Sequence, residues 1–135
     1  MADEFPNRIE AFLAASPIAV IGASLDPAKF GYRVLEAYLR HGFSVYPVNP
    51  RGGEILGRTA YADLASLPEP PAAVSIITPP DVTEQVLPEI IASGARHVWM
   101  QPGAESPQAI RMAREAGLNV IAGGPCVLVE LRRRG

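Results

Sequence analysis

Lys29 is the only lysine among 12 basic residues, and Cys126 is the only cysteine, in a chain of 135 residues. A lysine ammonium is a compact point charge suited to phosphate, while a lone thiol packs as a small hydrophobe or reacts as a thiolate. One cysteine excludes an internal disulfide and a four-cysteine zinc site. Around the lysine the chain reads Gly22-Ala23-Ser24, then Lys29-Phe30-Gly31-Tyr32-Arg33. A glycine turn running into a helix start aims backbone N–H groups at an anion, and Lys29 and Arg33 flank that turn as cationic support. Lys29 as a plain solvated loop residue is the competing reading.

The turn lacks the G-x-G-x-x-G spacing of a dinucleotide fingerprint. The second strand runs out into Asn49-Pro50-Arg51 instead of the acid that would accept the ribose hydroxyls of NAD. An arginine there favours a phosphorylated ribose, which both NADP and coenzyme A carry; Arg51 as a turn residue is the alternative. No nucleophile, base or metal set assembles. His41, at a helix end, and His97, at a strand start, belong to the amino ends of strands, where capping or surface roles are favoured over catalysis.

The elements that must hold these residues follow from apolar periodicity. Strand-length runs rich in Val and Ile fall at Ile18–Ile21, Ser44–Val48, Ala73–Ile77, His97–Met100 and Asn119–Ile121, apolar on both faces as parallel strands covered on both sides require. Helices are predicted at Tyr32–Arg40, Val82–Ala92 and Pro107–Ala116, with further ones at Asn7–Ala15 and near Tyr61–Leu67. Gly42, Gly94 and Gly117 stand where left-handed helix stops are needed, and Ser106-Pro107 reads as an N-cap followed by a first-turn proline. Asp81 with Glu84 reads as a capping box. Leu87-Pro88 marks either a kink or a later helix start, and the glycine-rich Gly52–Thr59 offers a short edge strand.

Strand, helix, strand with right-handed crossovers gives an α/β, doubly wound parallel sheet with main strand order 2-1-3-4-5. Ligands of such sheets bind at the carboxyl ends of the strands, at the switch point. The residues just after the strands are therefore the informative ones: Gly22-Ala23-Ser24, Asn49-Pro50-Arg51, Thr78-Pro79-Pro80, Gln101-Pro102-Gly103 and Gly123-Gly124-Pro125-Cys126.

The formal charge of −2 and a hydrophobic share of 48% describe a soluble globular domain. No basic stripe suggests nucleic acid. The acidic N-terminus carries no export signal, and no apolar run approaches a membrane span, so a cytoplasmic location is expected. One domain spans 1–135, with a basic tail at 132–135 that reads as solvated.

Gly22-Ala23-Ser24, Lys29 to Val34, Pro47-Val48-Asn49-Pro50, Thr78-Pro79-Pro80, Trp99-Met100-Gln101-Pro102-Gly103 and Pro125-Cys126 with Glu130 together resemble the stand-alone CoA-binding domain family. That family is similar to the nucleotide-binding domain of the succinyl-CoA synthetase α-subunit, and the resemblance covers about Pro17 to Leu131. It implies a three-layer Rossmann-like domain that binds coenzyme A or an acyl-CoA, a small-molecule nucleotide ligand, without a catalytic set of its own. Carried over, Gly22, Ala23 and Ser24 lie against the phosphates with Lys29 and Arg33 beside them. Asn49, Pro50 and Arg51 border the 3′-phosphate, Thr78, Pro79 and Pro80 wall the nucleotide, and Gln101 and Gly103 line the pantetheine route. Family members often read Asp-Arg-Cys at the last strand, where this chain has Gly124-Pro125-Cys126. Cys126 reads as a buried hydrophobe or as a thiol that forms a mixed disulfide with coenzyme A. An NADP-binding oxidoreductase or redox sensor, and a subunit completing an acyl-CoA synthetase in trans, stand as alternatives, with a homo-oligomer or an enzyme partner both open.

Overall fold

The computed structural model describes residues 4–134; residues 1–3 and Gly135 lie outside them, as do the corresponding ends of the expected 1–135 domain and basic tail. Five parallel strands, β1 (Ile18–Ile21), β2 (Val45–Val48), β5 (Ala73–Ile76), β6 (His97–Met100) and β7 (Asn119–Ile121), pair in the order β2-β1-β5-β6-β7. A separate antiparallel hairpin joins β3 (Glu54–Ile55) to β4 (Arg58–Thr59). Counting main strands alone, this is the predicted 2-1-3-4-5 order. The sheet is in register from Ile18 opposite both Val45 and Ala73 through to Val98 opposite Val120.

The two faces of the sheet are buried under different helices, because side chains alternate along each strand. Ile18, Val20, Ala73, Trp99 and Ile121 pack under α1 (Glu4–Ala14), α2 (Phe30–Arg40) and α5 (Val127–Arg133). Ala19, Ile21, Val74, Ile76, Val98, Met100 and Val120 pack under α3 (Pro80–Ser93) and α4 (Pro107–Glu115). Trp99 anchors the first layer: Phe12 meets its ring edge-on at a centroid distance of 5.3 Å, and its indole N–H donates to the Pro125 carbonyl at 3.0 Å. Pro47, which has no N–H to give, sits in the edge strand β2, where the loss is tolerated. Tyr61 covers that edge, donating its N–H to Pro47 O at 3.0 Å and accepting from Asn49 N at 2.8 Å.

Several local expectations are corrected. The stretch near Tyr61–Leu67 forms only a 3-10 turn at Leu64–Ser66. Gly52–Thr59 supplies both strands of the hairpin rather than an edge strand of the main sheet. Pro88 lies inside α3, which starts at Pro80 with Pro79 at its N-cap and no side-chain cap. The expected capping box at Asp81 and Glu84 is therefore not made; Asp81 is a first-turn residue, and Glu84 accepts from the Ser106 hydroxyl at 2.6 Å. Arg132 and Arg133 belong to the last turn of α5 rather than to a solvated tail, because Val127 and Leu131 one turn apart are fully buried and fix a helix there. Ser106 caps α4 as expected, accepting from Ala109 N at 3.0 Å, and Gly42, Gly94 and Gly117 follow their helices at positive φ.

Candidate functional site

The order β2-β1-β5 puts the switch point between β1 and β5, and the chain leaves β1 through Gly22 at φ +96°. A side chain there would be strained, and its Cβ would come within 3.1 Å of the Ile77 carbonyl carbon. Gly22 N donates to Val48 O at 3.2 Å and Ile77 N to Ile21 O at 2.9 Å, so the loops of both neighbouring strands grip the turn. Gly31, the second residue of α2, lets the helix begin directly on that turn, because a Cβ there would overlap the Gly22 carbonyl oxygen.

Between the two glycines the loop satisfies itself. Ser24 Oγ accepts from Asp26 N at 3.0 Å, Asp26 Oδ1 accepts from Ala28 N at 2.9 Å, and Lys29 N donates to Asp26 O at 2.9 Å. Among the described residues, that pattern leaves the Ser24 hydroxyl proton and the Lys29 ammonium without a partner and available to a ligand. The helix start is a different matter. Lys29 is the N-cap of α2, it makes no side-chain cap, and the first turn holds no acid. A helix N-terminus carries partial positive charge and prefers a capping oxygen or a carboxylate. Here it has a cation instead, so both the backbone and the side chain ask for an anion.

Asn49 fixes the opposite wall. Its side-chain amide donates to Ala23 O at 2.9 Å, its Oδ1 accepts from Arg51 N at 2.9 Å, and its own carbonyl accepts from Gly52 N at 2.8 Å. These bonds engage Asn49 in positioning the crevice. On the third side, Thr78 and Thr83 share a hydroxyl hydrogen bond of 2.8 Å that ties the β5 loop to the first turn of α3.

The walls enclose a crevice of about 400 Å³ lined by Gly22, Ala23, Ser24, Lys29, Asn49, Pro50, Thr78 and Pro79. Phe30, Gly31 and Ile77 line it as well. A second hollow of about 360 Å³ shares Ser24, Lys29 and Asn49 and adds Arg51, Asp26 and the exposed Leu25. The two form one trough running from the β5 loop past the α2 N-terminus to Arg51.

Five expected residues are not brought into that trough. Pro80 is the exposed first residue of α3. Arg33 has turned with the helix onto its outer side, where it lines a groove between α2 and α5 with Leu128 and Arg132. Gln101 is fully buried: its amide donates to Ser75 Oγ at 3.1 Å and its Oε1 accepts from Val127 N at 2.9 Å, so it locks α5 onto the sheet. Gly103 is exposed at φ +97° with its N–H on Glu105 at 3.0 Å. Cys126 is a half-buried free thiol at the N-cap of α5.

Both histidines are engaged away from the crevice. His41 closes α2, its Nδ1 lying 2.9 Å from Ala37 O as donor. His97 Nδ1 accepts from the Asn119 amide at 3.0 Å, and burial, reinforced by neighbouring Arg96, lowers its pKa below the ordinary histidine value. Among the described residues no group of three or more His, Cys, Asp or Glu is arranged to hold a metal ion.

A family model described as "CoA binding domain" matches residues 16–132. The α subunit of acetate–CoA ligase (ADP-forming) I from Pyrococcus furiosus is 30% identical over 129 residues, a match covering 84% of this chain and 28% of the subunit. This chain thus spans well under a third of that relative. The uncharacterized protein YneT of Bacillus subtilis is 31% identical over 104 residues, covering 77% of each chain. Among solved structures, a hypothetical protein from Pyrococcus horikoshii superposes with a TM-score of 0.88 at 33% identity, covering 95% of this chain and 89% of that one.

Proposed function

The chain belongs to the CoA binding domain family, and from that premise we propose that it binds coenzyme A or a short acyl-CoA in the trough at the carboxyl ends of β1, β2 and β5, without catalysis of its own. The observation that carries this reading is the α2 N-terminus, which opens on the crevice with a lysine at its N-cap and no acid in its first turn. An anionic diphosphate there would accept from the free N–H groups and from Lys29, relieving a charge arrangement unfavourable to the empty helix. Ser24 has a hydroxyl proton for the same group. Arg51, in the adjoining hollow, is suited to a ribose phosphate. Thr78 and Pro79 wall the trough on the β5 side. A cytoplasmic location fits such a ligand; among the described residues no helix is long and apolar enough to cross a membrane.

A second reading is favoured by the ligase relative. A chain similar to part of a subunit of a CoA ligase would serve as the CoA-holding piece of an acyl-CoA synthetase assembled in trans. Calorimetric titration with CoA, acetyl-CoA and NADPH tests the first reading: CoA should bind and NADPH should not. Copurification with a ligase subunit from the native cell tests the second, and its absence removes that reading alone.

A further inference from the structure

We propose that the groove between α2 and α5 docks an acidic, leucine-bearing segment of a partner polypeptide. Arg33, Arg40 and Arg132 line it, and a single carboxylate, Glu36, stands among them. An adjoining hollow of about 790 Å³ shares Arg40 and Arg132, adds Arg134, and has no acidic residue in its lining. Four guanidinium groups therefore gather on one face of a chain whose formal net charge is −2.

Pairing within the chain reaches two of the four arginines. Arg40 meets Glu36 at 3.7 Å with both side chains exposed, Arg134 pairs with Glu10, and among the described residues Arg33 and Arg132 have no ion pair. Helix dipoles account for part of the cluster, since Arg40 and Arg132 occupy the last turns of α2 and α5, where a cation is favoured. They do not account for Arg33. It stands in the first turn of α2, where the dipole disfavours a cation, and it lines this groove instead of the anion crevice.

Spacing and floor select the partner. Arg33 and Arg40 are two helical turns apart on one side of α2, about 10 Å along the axis. A run of carboxylates spans that distance. The half-buried Leu128 and Ala37 give the groove an apolar floor between the arginines, suited to an aliphatic side chain set among acids. Single-stranded nucleic acid would want a run of aromatic stacking platforms, and the two hollows offer only the half-buried Phe43 and the His41 ring. A partner held here leaves the crevice open, and the inference does not depend on what the crevice binds.

The test is fluorescence anisotropy with a labelled peptide alternating glutamates and leucines, beside an oligo-dT of equal charge, on the wild type and on an Arg33→Glu/Arg132→Glu variant, with thermal melting as the integrity check. The peptide should bind the wild type, weaken as salt rises, and lose affinity about tenfold or more in the variant. Should the glutamate variant fail to fold, Arg33→Gln/Arg132→Gln carries the same comparison. No peptide binding, equal binding by a folded variant, or tighter binding of oligo-dT overturns the inference. A parallel loss of CoA affinity in the variant also overturns it, because Arg33 would then belong to the crevice.

Discussion

Asn49 donates its side-chain amide to the carbonyl oxygen of Ala23 at 2.9 Å while its Oδ1 holds the backbone N–H of Arg51, also at 2.9 Å. One side chain thus clamps the turn after β1 to the loop after β2, and the two walls of the crevice are set by a residue whose amide is spent on the protein. In Asn49→Ala the Ala23 carbonyl and the Arg51 N–H lose their partner. We predict a stability loss of about 1–3 kcal/mol in denaturant unfolding, together with weaker CoA binding. Unchanged stability would mean that the clamp is redundant.

Gly31→Ala should invert the usual helix rule. Alanine in a helix interior is favoured over glycine by about 0.8–1.0 kcal/mol, but a Cβ at Gly31 would overlap the Gly22 carbonyl oxygen, which belongs to backbone and cannot swing away. The outcome expected is a net loss of about 1–3 kcal/mol with displacement of α2 from the turn. A variant that melts higher than the wild type would contradict this close approach.

Lys29→Ala should move stability and affinity in opposite directions. Removing a cation from the N-cap of α2 relieves the helix dipole by about 0.3–1 kcal/mol at low salt, so the unliganded protein becomes slightly more stable. The same change should weaken CoA binding by about 1–3 kcal/mol, the range for hydrogen bonds to charged groups. Thermal melting with and without CoA reads both. A variant that is less stable when empty and unaltered in affinity would return Lys29 to the status of a solvated loop residue.

His97 sets an acid-side pH dependence. Its pKa in the fold is lowered, first by burial and then by Arg96, and its Nδ1 accepts from Asn119, which requires that nitrogen to be unprotonated. The unfolded chain therefore binds more protons at mildly acidic pH. The stabilisation is complete above the ordinary value near 6.5 and is lost as pH falls through the lower folded value. Stability measured from about pH 7 down to pH 5 should decline in the wild type more steeply than in His97→Gln. Parallel curves would assign the acid limb to other groups.

The fold is readable because each main strand is a short, largely apolar run with a glycine or proline within a few residues of its ends. Three of the five, Ile18–Ile21, His97–Met100 and Asn119–Ile121, begin and end where the pattern predicts. What escaped the sequence depended on long-range partners. Three consecutive arginines masked α5, whose real signal is the apolar pair Val127 and Leu131. The Asp81–Glu84 capping box is lost because α3 starts earlier, at Pro80, and Glu84 then accepts from Ser106 of the following helix. Gln101 could have been assigned inward: the two-residue strand period puts it on the Trp99 face, away from the crevice. In the crevice, Gly22, Ser24, Lys29 and Asn49 were legible from the glycine turn and the strand ends. Phe30 and Ile77 were not, because an apolar side chain beside a turn carries no mark that separates lining from core.

Calorimetric titration of CoA, dephospho-CoA and NADPH into the wild type and Arg51→Ala decides whether the trough is a coenzyme A site. Saturable binding of CoA is expected, with weaker binding of dephospho-CoA, no comparable binding of NADPH, and a penalty for Arg51→Ala that shrinks when the 3′-phosphate is missing from the ligand. NADPH binding tightly where CoA does not bind would overturn the coenzyme A assignment.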